Sequence, residues 1–135
     1  MSLPSANAAV KASPEPSFLV ICLCADWCGT CRDYRAGFDE LATELPDARF
    51  RWVDIEDDAD AIGDLDVENF PTLLIKHHGW IVFFGTMLPH LSHLRRMLES
   101  FGEQGVQEAK SYALSDAQRR SWQENADLVA LAGDA

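Results

Sequence analysis

Cys28 and Cys31, two cysteines separated by two residues, are the side chains of this sequence whose type and spacing predict chemistry. Thiols at this spacing can close a small disulfide ring and reopen it, which is the chemistry of thiol–disulfide exchange. An apolar run over residues 18–24 predicts a buried strand before them, and a helical periodicity predicts a helix from about Cys28 to Leu45. Cys28 is therefore expected at a helix N-terminus, where unpaired N–H groups and the helix dipole favour a thiolate.

The rest of the chain predicts further strands and helices. In order, these are a strand over residues 50–55, an acidic segment over 56–68 with a short helix, a hairpin over 72–84 that turns at His78 and Gly79, and an amphipathic helix over 91–101. A helix between the first two strands implies that they pair in parallel, and the hairpin adds antiparallel strands. We therefore expect an α/β fold with a mixed β-sheet and helices on both faces.

The sequence divides into three parts. Residues 1–17 contain several prolines and little periodicity, which predicts a loose N-terminal arm. Residues 18–101 contain all of the elements named above and are expected to form one domain. Gly102 and Gly105 end the last helix, so residues 102–135 are expected to be a C-terminal extension with helical potential.

The C-terminal extension carries its own helix signals. Ser115 and Gln118 resemble a capping box at a helix start. Trp122, Ala126 and Val129 have the spacing of residues that share one face of a terminal helix. We expect Trp122 to dock on the domain.

Net charge and composition exclude several classes of function. The formal net charge of −11 at pH 7 argues against nucleic acid and anionic membranes as partners, because both would repel the chain. The apolar content of 47% and the charged content of 24% are typical of a globular protein. No apolar run approaches the roughly 20 residues of a membrane span. Without a secretory signal at the polar start of the sequence, the expected location is a reducing cytoplasm, or the periplasm if a signal segment was removed.

Four cysteines close together in the sequence raise the alternative of a metal site. Cys22 and Cys24, however, fall on one face of the predicted buried strand, as expected of small core residues. The four histidines are His77, His78, His90 and His93, and none has the partner spacing of a metal-ligand set. We therefore predict no metal, and we interpret His90 and His93 as surface or packing residues. Cys24 leaves another alternative open, because a secondary disulfide to the Cys28–Cys31 pair would trap or regulate that pair.

Several segments together resemble the thioredoxin family. They are the strand over residues 18–24, the Ala-Asp-Trp-Cys-Gly-Thr-Cys segment over 25–31, and the Phe70-Pro71-Thr72 triplet before the hairpin. The resemblance covers residues 18–101. It implies a thioredoxin-like three-layer α/β/α sandwich in which the family's opening strand and helix are shortened or lost.

The resemblance also implies a protein thiol–disulfide oxidoreductase. Cys28 would attack the disulfide of a protein substrate, and Cys31 would resolve the mixed disulfide that results. The partners would be protein disulfides or dithiols and an external reductant. No organic cofactor is expected, since the sequence contains no glycine-rich nucleotide motif.

The same resemblance assigns residues to a substrate-docking surface. Pro71 would be a cis proline that faces the two thiols. Phe70 would offer backbone groups to an extended substrate segment. Trp27 would cover the attacking thiol, with Gly29 and Thr30 beside it.

Two functional alternatives stay open. The acidic segment over residues 54–68 is either a solvated loop and helix or a surface that favours basic partners, because it leads into Phe70 and Pro71. The whole chain is either an oxidoreductase or a thioredoxin-like binding and assembly module with little turnover.

The chain departs from the family's pattern at two buried positions. Thioredoxins usually carry a buried Asp six positions before the attacking cysteine, where this chain has Cys22, and Trp52 replaces the lysine that partners this Asp. These changes remove the carboxylate that would take the proton from Cys31 during resolution. We therefore expect slower resolution or an altered pH dependence.

Thr30 predicts a shifted redox potential, because thioredoxins carry proline at this position between the cysteines. Its N–H group and its hydroxyl can hydrogen-bond the Cys28 thiolate, which stabilises the reduced form and makes the pair a better oxidant. A redox titration against glutathione should therefore give a potential less reducing than the about −270 mV of thioredoxin. A value at or below about −270 mV would contradict this prediction.

Overall fold

A computed structural model describes residues 18–25, 27–65 and 67–133 of the chain. The loose arm predicted for residues 1–17 lies outside these residues, and so does the prediction of a shortened opening strand and helix. No helix in the described part of the chain is long and apolar enough to cross a membrane.

Four strands and six helices follow one another along the described residues. The strands are β1 (Phe18–Cys24), β2 (Ala48–Asp54), β3 (Thr72–His77) and β4 (Trp80–Thr86). The helices are α1 (Gly29–Glu44), α2 (Ala59–Ile62), α3 (Leu91–Gly102), α4 (Val106–Leu114), α5 (Ala117–Glu124) and α6 (Ala126–Gly133). The strands and helices predicted between residues 18 and 101 are confirmed, with bounds that differ by a few residues.

The four strands form one mixed sheet in the order β2-β1-β3-β4. β1 pairs with β2 in parallel and with β3 antiparallel, and β3 and β4 form the predicted hairpin. The hairpin turns at His78 and Gly79, whose φ angles of 50° and 89° are both left-handed. A two-residue turn of this kind matches the twist of the flanking strands, and it explains why a glycine stands there.

One face of the sheet is covered by α1 and α3, which also contact each other. Apolar side chains from the strands and from both helices fill this layer. Its buried members include Val20, Cys22, Cys24, Cys31, Tyr34, Phe38, Leu41, Leu73, Ile75, Leu94, Leu98 and Phe101. This is the larger part of the core, and it contains three of the four cysteines.

The opposite face of the sheet is covered by α6, with α2 beside it and α5 against β4. The alternating residues of β1 that point away from α1 pack there against apolar residues of the C-terminal helix. The buried set is Leu19, Ile21, Leu23, Val53, Leu74, Ile81, Leu128, Leu131 and Ala132. The chain is therefore a three-layer α/β/α sandwich whose third layer is formed largely by the residues after α3.

The C-terminal helices differ from the single terminal helix that the sequence predicted. α5 ends at Glu124, and α6 begins after Asn125, whose side-chain oxygen accepts hydrogen bonds from the N–H groups of Asp127 and Leu128 at 2.9 and 3.1 Å. The prediction that Trp122, Ala126 and Val129 share one face is wrong, because this break separates Trp122 from the other two residues. Trp122 itself docks as predicted, with its ring 6.5 Å from that of Phe83.

The predicted capping box at the start of α5 is also wrong. Asp116 caps the helix instead, and its carboxylate accepts hydrogen bonds from the N–H groups of Gln118 and Arg119 at 3.1 and 3.2 Å. The Ser115 hydroxyl points the other way and donates to the carbonyl of Tyr112 at 2.9 Å. Both Ser115 and Asp116 are good cap residues, so the sequence alone could not choose between them.

The acidic segment is tied to the last helix by one carboxylate. The N–H group of Asp64 donates to Oδ2 of Asp127 at 3.3 Å. Gly63, with a left-handed φ of 57°, lies so close to Asp127 that a Cβ atom there would collide with the carboxylate. The short helix α2 and the start of α6 are therefore packed as one unit.

Replacement of Leu131 tests the packing of α6 on the sheet. Leu131→Ala should lower the free energy of unfolding by about 2–5 kcal/mol, because it removes a buried side chain and leaves a cavity. Val129 of the same helix is 47% exposed, so Val129→Ala should change this free energy by no more than about 0.5 kcal/mol. Urea unfolding of the reduced proteins, followed by circular dichroism, measures both changes. Equal values for the two variants would contradict this packing.

Candidate functional site

Cys28 lies in the turn between β1 and α1 and forms the N-cap of the helix, with an extended backbone (φ −88°, ψ 117°). Its N–H group donates to the carbonyl of Ala25 at 3.0 Å, which closes the turn. Its carbonyl accepts a hydrogen bond from the N–H group of Arg32 at 3.2 Å, which begins the helix. The thiol is free and partly exposed. The predicted position of Cys28 at a helix N-terminus is therefore confirmed.

Cys31 lies in the first turn of α1, is 1% exposed, and forms a disulfide with Cys24. The Cα atoms of the two residues are 5.8 Å apart, within the usual range of about 4.4–6.8 Å. The sequence predicted a bond between Cys28 and Cys31, so the pairing in this structure differs from the predicted one. The reason is tertiary: Cys24 ends β1 on the face that α1 covers, and there its side chain meets Cys31. This is the secondary disulfide that the sequence left open as an alternative.

The predicted docking residues come from two segments that the fold brings together. Trp27 is 62% exposed, and its ring makes an edge-to-face contact with that of Phe70, with ring centroids 5.7 Å apart. The peptide bond between Phe70 and Pro71 is cis, as predicted. The carbonyl of Pro71 accepts a hydrogen bond from the N–H group of Met87 at 3.0 Å, which holds this loop against the end of β4.

Gly29 and Thr30 are the first two residues of α1, and both are exposed beside Cys28. A Cβ atom on Gly29 would meet only the end of the Arg32 side chain, at an ordinary contact distance of 3.6 Å. Packing in the folded chain therefore does not require glycine at this position. The exposed start of α1 is available for contact with a partner.

Glu56 is a residue of the site that sequence reasoning missed. The indole N–H of Trp27 donates to Oε2 of Glu56 at 3.0 Å, so the acidic segment reaches the edge of the thiol site. Its neighbour Asp54 is buried, and Oδ1 of Asp54 accepts hydrogen bonds from the N–H groups of Glu56 and Asp57 at 2.8 and 2.9 Å. These bonds fix the loop that carries Glu56. No feature of the sequence distinguishes Glu56 from the many other carboxylates near it, so this contact could not be predicted.

The interior beneath the site holds a thiol where the family carries a carboxylate. Cys22 is fully buried and is paired in register with Trp52 on β2, so the two departures from the family's pattern are neighbours in space. Burial raises the pKa of the Cys22 thiol well above its ordinary value, and the positive charge of Arg35 opposes this only in part. Burial likewise raises the pKa of the Tyr34 phenol. Both groups therefore stay neutral near neutral pH.

The histidines lie at the end of β3, in the hairpin turn and at the start of α3. His77 is buried, and its ring stacks on that of Phe18 with the ring centroids 4.1 Å apart. His90 and His93 are exposed at the start of α3. The packing and surface roles predicted for His90 and His93 are consistent with these positions. Among residues 18–25, 27–65 and 67–133, no three His, Cys, Asp or Glu side chains gather into a metal-binding group.

Comparison with known proteins agrees with this geometry. The sequence profile of the family described as Thioredoxin matches residues 5–86, which is more than half of the 135-residue chain. The chain belongs to the thioredoxin family.

Curated relatives and solved structures give the extent of the similarity. A thioredoxin H-type of Fagopyrum esculentum is 35% identical over 69 residues, which are 51% of this chain and 60% of the relative. Thioredoxin H1 of Arabidopsis thaliana is 31% identical over 72 residues, which are 53% of this chain and 63% of the relative. The match thus spans less than two thirds of the length of either relative. The X-ray structure of Fasciola hepatica thioredoxin superposes with a TM-score of 0.58 at 24% identity, over 68% of this chain and 88% of that one.

The buried Cys22 thiol predicts a pH-dependent stability. Because its pKa is higher in the folded protein, the folded state keeps a proton that the unfolded state loses above about pH 8.5. The contribution of Cys22 to stability is complete below that pH and then falls by at most about 1.4 kcal/mol per pH unit. Urea unfolding in excess reductant between about pH 7.5 and pH 10 should therefore show a steeper loss for the wild type than for Cys22→Ala. Parallel curves would contradict the burial of this thiol.

Proposed function

We propose that the chain is a protein thiol–disulfide oxidoreductase in which Cys28 is the attacking thiol and Cys31 the resolving thiol. The observation that carries the proposal is the position of Cys28, a free and partly exposed thiol at the N-terminus of α1. Cys31 lies one helical turn behind it and is shielded from solvent. The family membership of the chain supports the same class of reaction.

The reaction consists of two exchanges. The Cys28 thiolate attacks one sulfur of a substrate disulfide, forms a mixed disulfide, and releases the other sulfur as a thiolate. The Cys31 thiolate then attacks the sulfur of Cys28, forms the Cys28–Cys31 disulfide, and releases the second substrate thiolate. Two electrons pass from the protein to the substrate, and an external dithiol restores them. Cys22 offers no base for the proton of Cys31, so we expect the second exchange to be slow.

Substrate docking is proposed for the surface around Cys28. This surface would include the contacting rings of Trp27 and Phe70, and the exposed residues Gly29 and Thr30 that follow Cys28. The backbone of Phe70, ahead of the cis Pro71, would pair with an extended segment of the substrate, as in strand addition. The partners would be protein disulfides and a cytoplasmic reductant.

A thioredoxin-like binding module is the second candidate function, and the Cys24–Cys31 disulfide favours it. With Cys31 held by Cys24, the chain has no free resolving thiol, so it could dock a partner but could not complete turnover. The two functions therefore differ in whether Cys31 is available for resolution.

Insulin reduction tests the proposed activity. With dithiothreitol as the reductant, the wild-type chain should accelerate insulin precipitation, and Cys28→Ser should return the rate to that of dithiothreitol alone, because the attacking thiol is lost. Cys31→Ser, reduced and then freed of dithiothreitol before insulin is added, should instead accumulate a covalent complex with the substrate, visible on a non-reducing gel. Cys22→Ala is the matched control, since it removes a buried thiol outside the exchange and should keep turnover.

The assay also separates the two candidate functions. Partner capture that survives the removal of both Cys28 and Cys31, together with a wild-type rate equal to that of dithiothreitol alone, would establish the binding module instead.

A further inference from the structure

We propose that Cys24 is a third redox cysteine. It replaces Cys28 as the disulfide partner of Cys31, so that the disulfide then lies inside the core. This inference rests on the proposed exchange at Cys28 and adds one step to it. The oxidised protein would then exist in an exposed form, Cys28–Cys31, and a buried form, Cys24–Cys31.

Cys31 has a potential partner on each of two elements. Cys24, at the end of β1, is bonded to it with a Cα–Cα distance of 5.8 Å. Cys28 precedes it by three positions at the N-cap of α1, which is the Cys-X-X-Cys spacing of a redox-active cysteine pair. Cys31 is therefore the shared member of two alternative disulfides.

Solvent access differs sharply among the three thiols. Cys24 and Cys31 are 0% and 1% exposed, whereas Cys28 is partly exposed. An external disulfide or dithiol can therefore reach Cys28 but not the Cys24–Cys31 bond. Electrons enter and leave the protein through Cys28, and the buried bond is reached only by internal exchange.

The internal step is balanced without any further reactant. The Cys24 thiolate attacks the sulfur of Cys31, the Cys24–Cys31 bond forms, and the Cys28–Cys31 bond breaks. Cys28 leaves as a thiolate and accepts the proton that Cys24 gave up. No electron is gained or lost, because one disulfide and one thiol are present before and after the step.

The buried form has a chemical consequence at Cys28. The oxidised protein regains an accessible thiol there, while Cys31 is no longer available to resolve a mixed disulfide. Oxidised glutathione should then form one mixed disulfide with Cys28 and release one molecule of reduced glutathione. The protein would change from a two-cysteine reductant into a one-cysteine acceptor of small thiols.

Cys22 provides a matched control for Cys24. Both residues lie fully buried on the same face of β1, and their sulfur atoms are 3.9 Å apart. Only Cys24 is bonded to Cys31. A general effect of a buried thiol would therefore appear in both Cys22→Ala and Cys24→Ala, whereas the proposed step depends on Cys24 alone.

Disulfide mapping can distinguish the two oxidised forms. Cleavage before Asp26 places Cys22 and Cys24 in one peptide and leaves Cys28 and Cys31 together in the next. The reduced protein is oxidised with a cyclic peptide disulfide, alkylated under native conditions with iodoacetamide, digested with trypsin and Asp-N protease, and weighed without reduction. Only the buried form holds the two peptides together.

We expect the wild type and Cys22→Ala to give linked peptides with an alkylated Cys28. Cys24→Ala should give separate peptides with an unmodified Cys28, and it should take up no glutathione from oxidised glutathione. Cys28→Ser should form the linked peptides at least about tenfold more slowly than the wild type, because the entry thiol is lost. Cys24→Ser, with folding checked by circular dichroism, replaces Cys24→Ala if the alanine variant does not fold.

Two results would overturn the proposal. One is an oxidised wild type whose peptides separate, which would leave only the Cys28–Cys31 bond. The other is a Cys28→Ser protein that forms the linked peptides as fast as the wild type, which would show that Cys28 does not deliver the disulfide. Insulin turnover distinguishes these failures from a failure of the proposed function. If only the proposal about Cys24 fails, the wild type still reduces insulin. If the proposed function fails, neither the wild type nor Cys24→Ala does.

Discussion

The thiol site depends on the hydrogen bonds that fix the last residues of β1. β1 is an inner strand of the sheet, paired along its length with β2 on one side and β3 on the other. The pairing with β2 extends to the final residue, because the N–H group of Ile55 donates to the carbonyl of Cys24 at 2.9 Å. The turn then closes with the bond from Cys28 to Ala25. Helix α1 therefore starts from a strand end that is held in place. This is why the short side chains of Cys24 and Cys31 suffice to bring their sulfur atoms together.

Most of the fold could be predicted from residues 18–101, because each local pattern there agrees with the final packing. The site was predicted in part. Spacing along the chain identified Cys28 and Cys31, but the bond to Cys24 depends on how a helix lies on a strand, and only the folded chain shows it. The contact of Trp27 with Glu56 was missed for a similar reason, since one carboxylate among many carries no distinguishing signal. The break at Asn125 was not predicted, because the spacing of Trp122, Ala126 and Val129 suits one continuous helix, although asparagine itself favours helix caps.

The residues after α3 belong to the same core as the site. α6 covers the face of β1 opposite to α1, so β1 is buried on both sides and its strand pattern is apolar at every position. Through Asp127 the same helix holds the acidic segment, and the start of that segment positions Trp27. The C-terminal helices and the thiol site are thus connected through β1 and through the acidic segment.

The side chain of Gln123 occupies backbone hydrogen-bonding groups at one edge of the sheet. β4 stands at one edge of the sheet, where backbone groups usually remain open to pairing with another chain. The Gln123 amide accepts a hydrogen bond from the N–H group of Ile81 at 3.0 Å and donates one to its carbonyl at 2.7 Å. It imitates the peptide group of an absent neighbouring strand. A second molecule therefore finds this stretch of the edge already occupied, which protects the protein from growth into strand-paired aggregates.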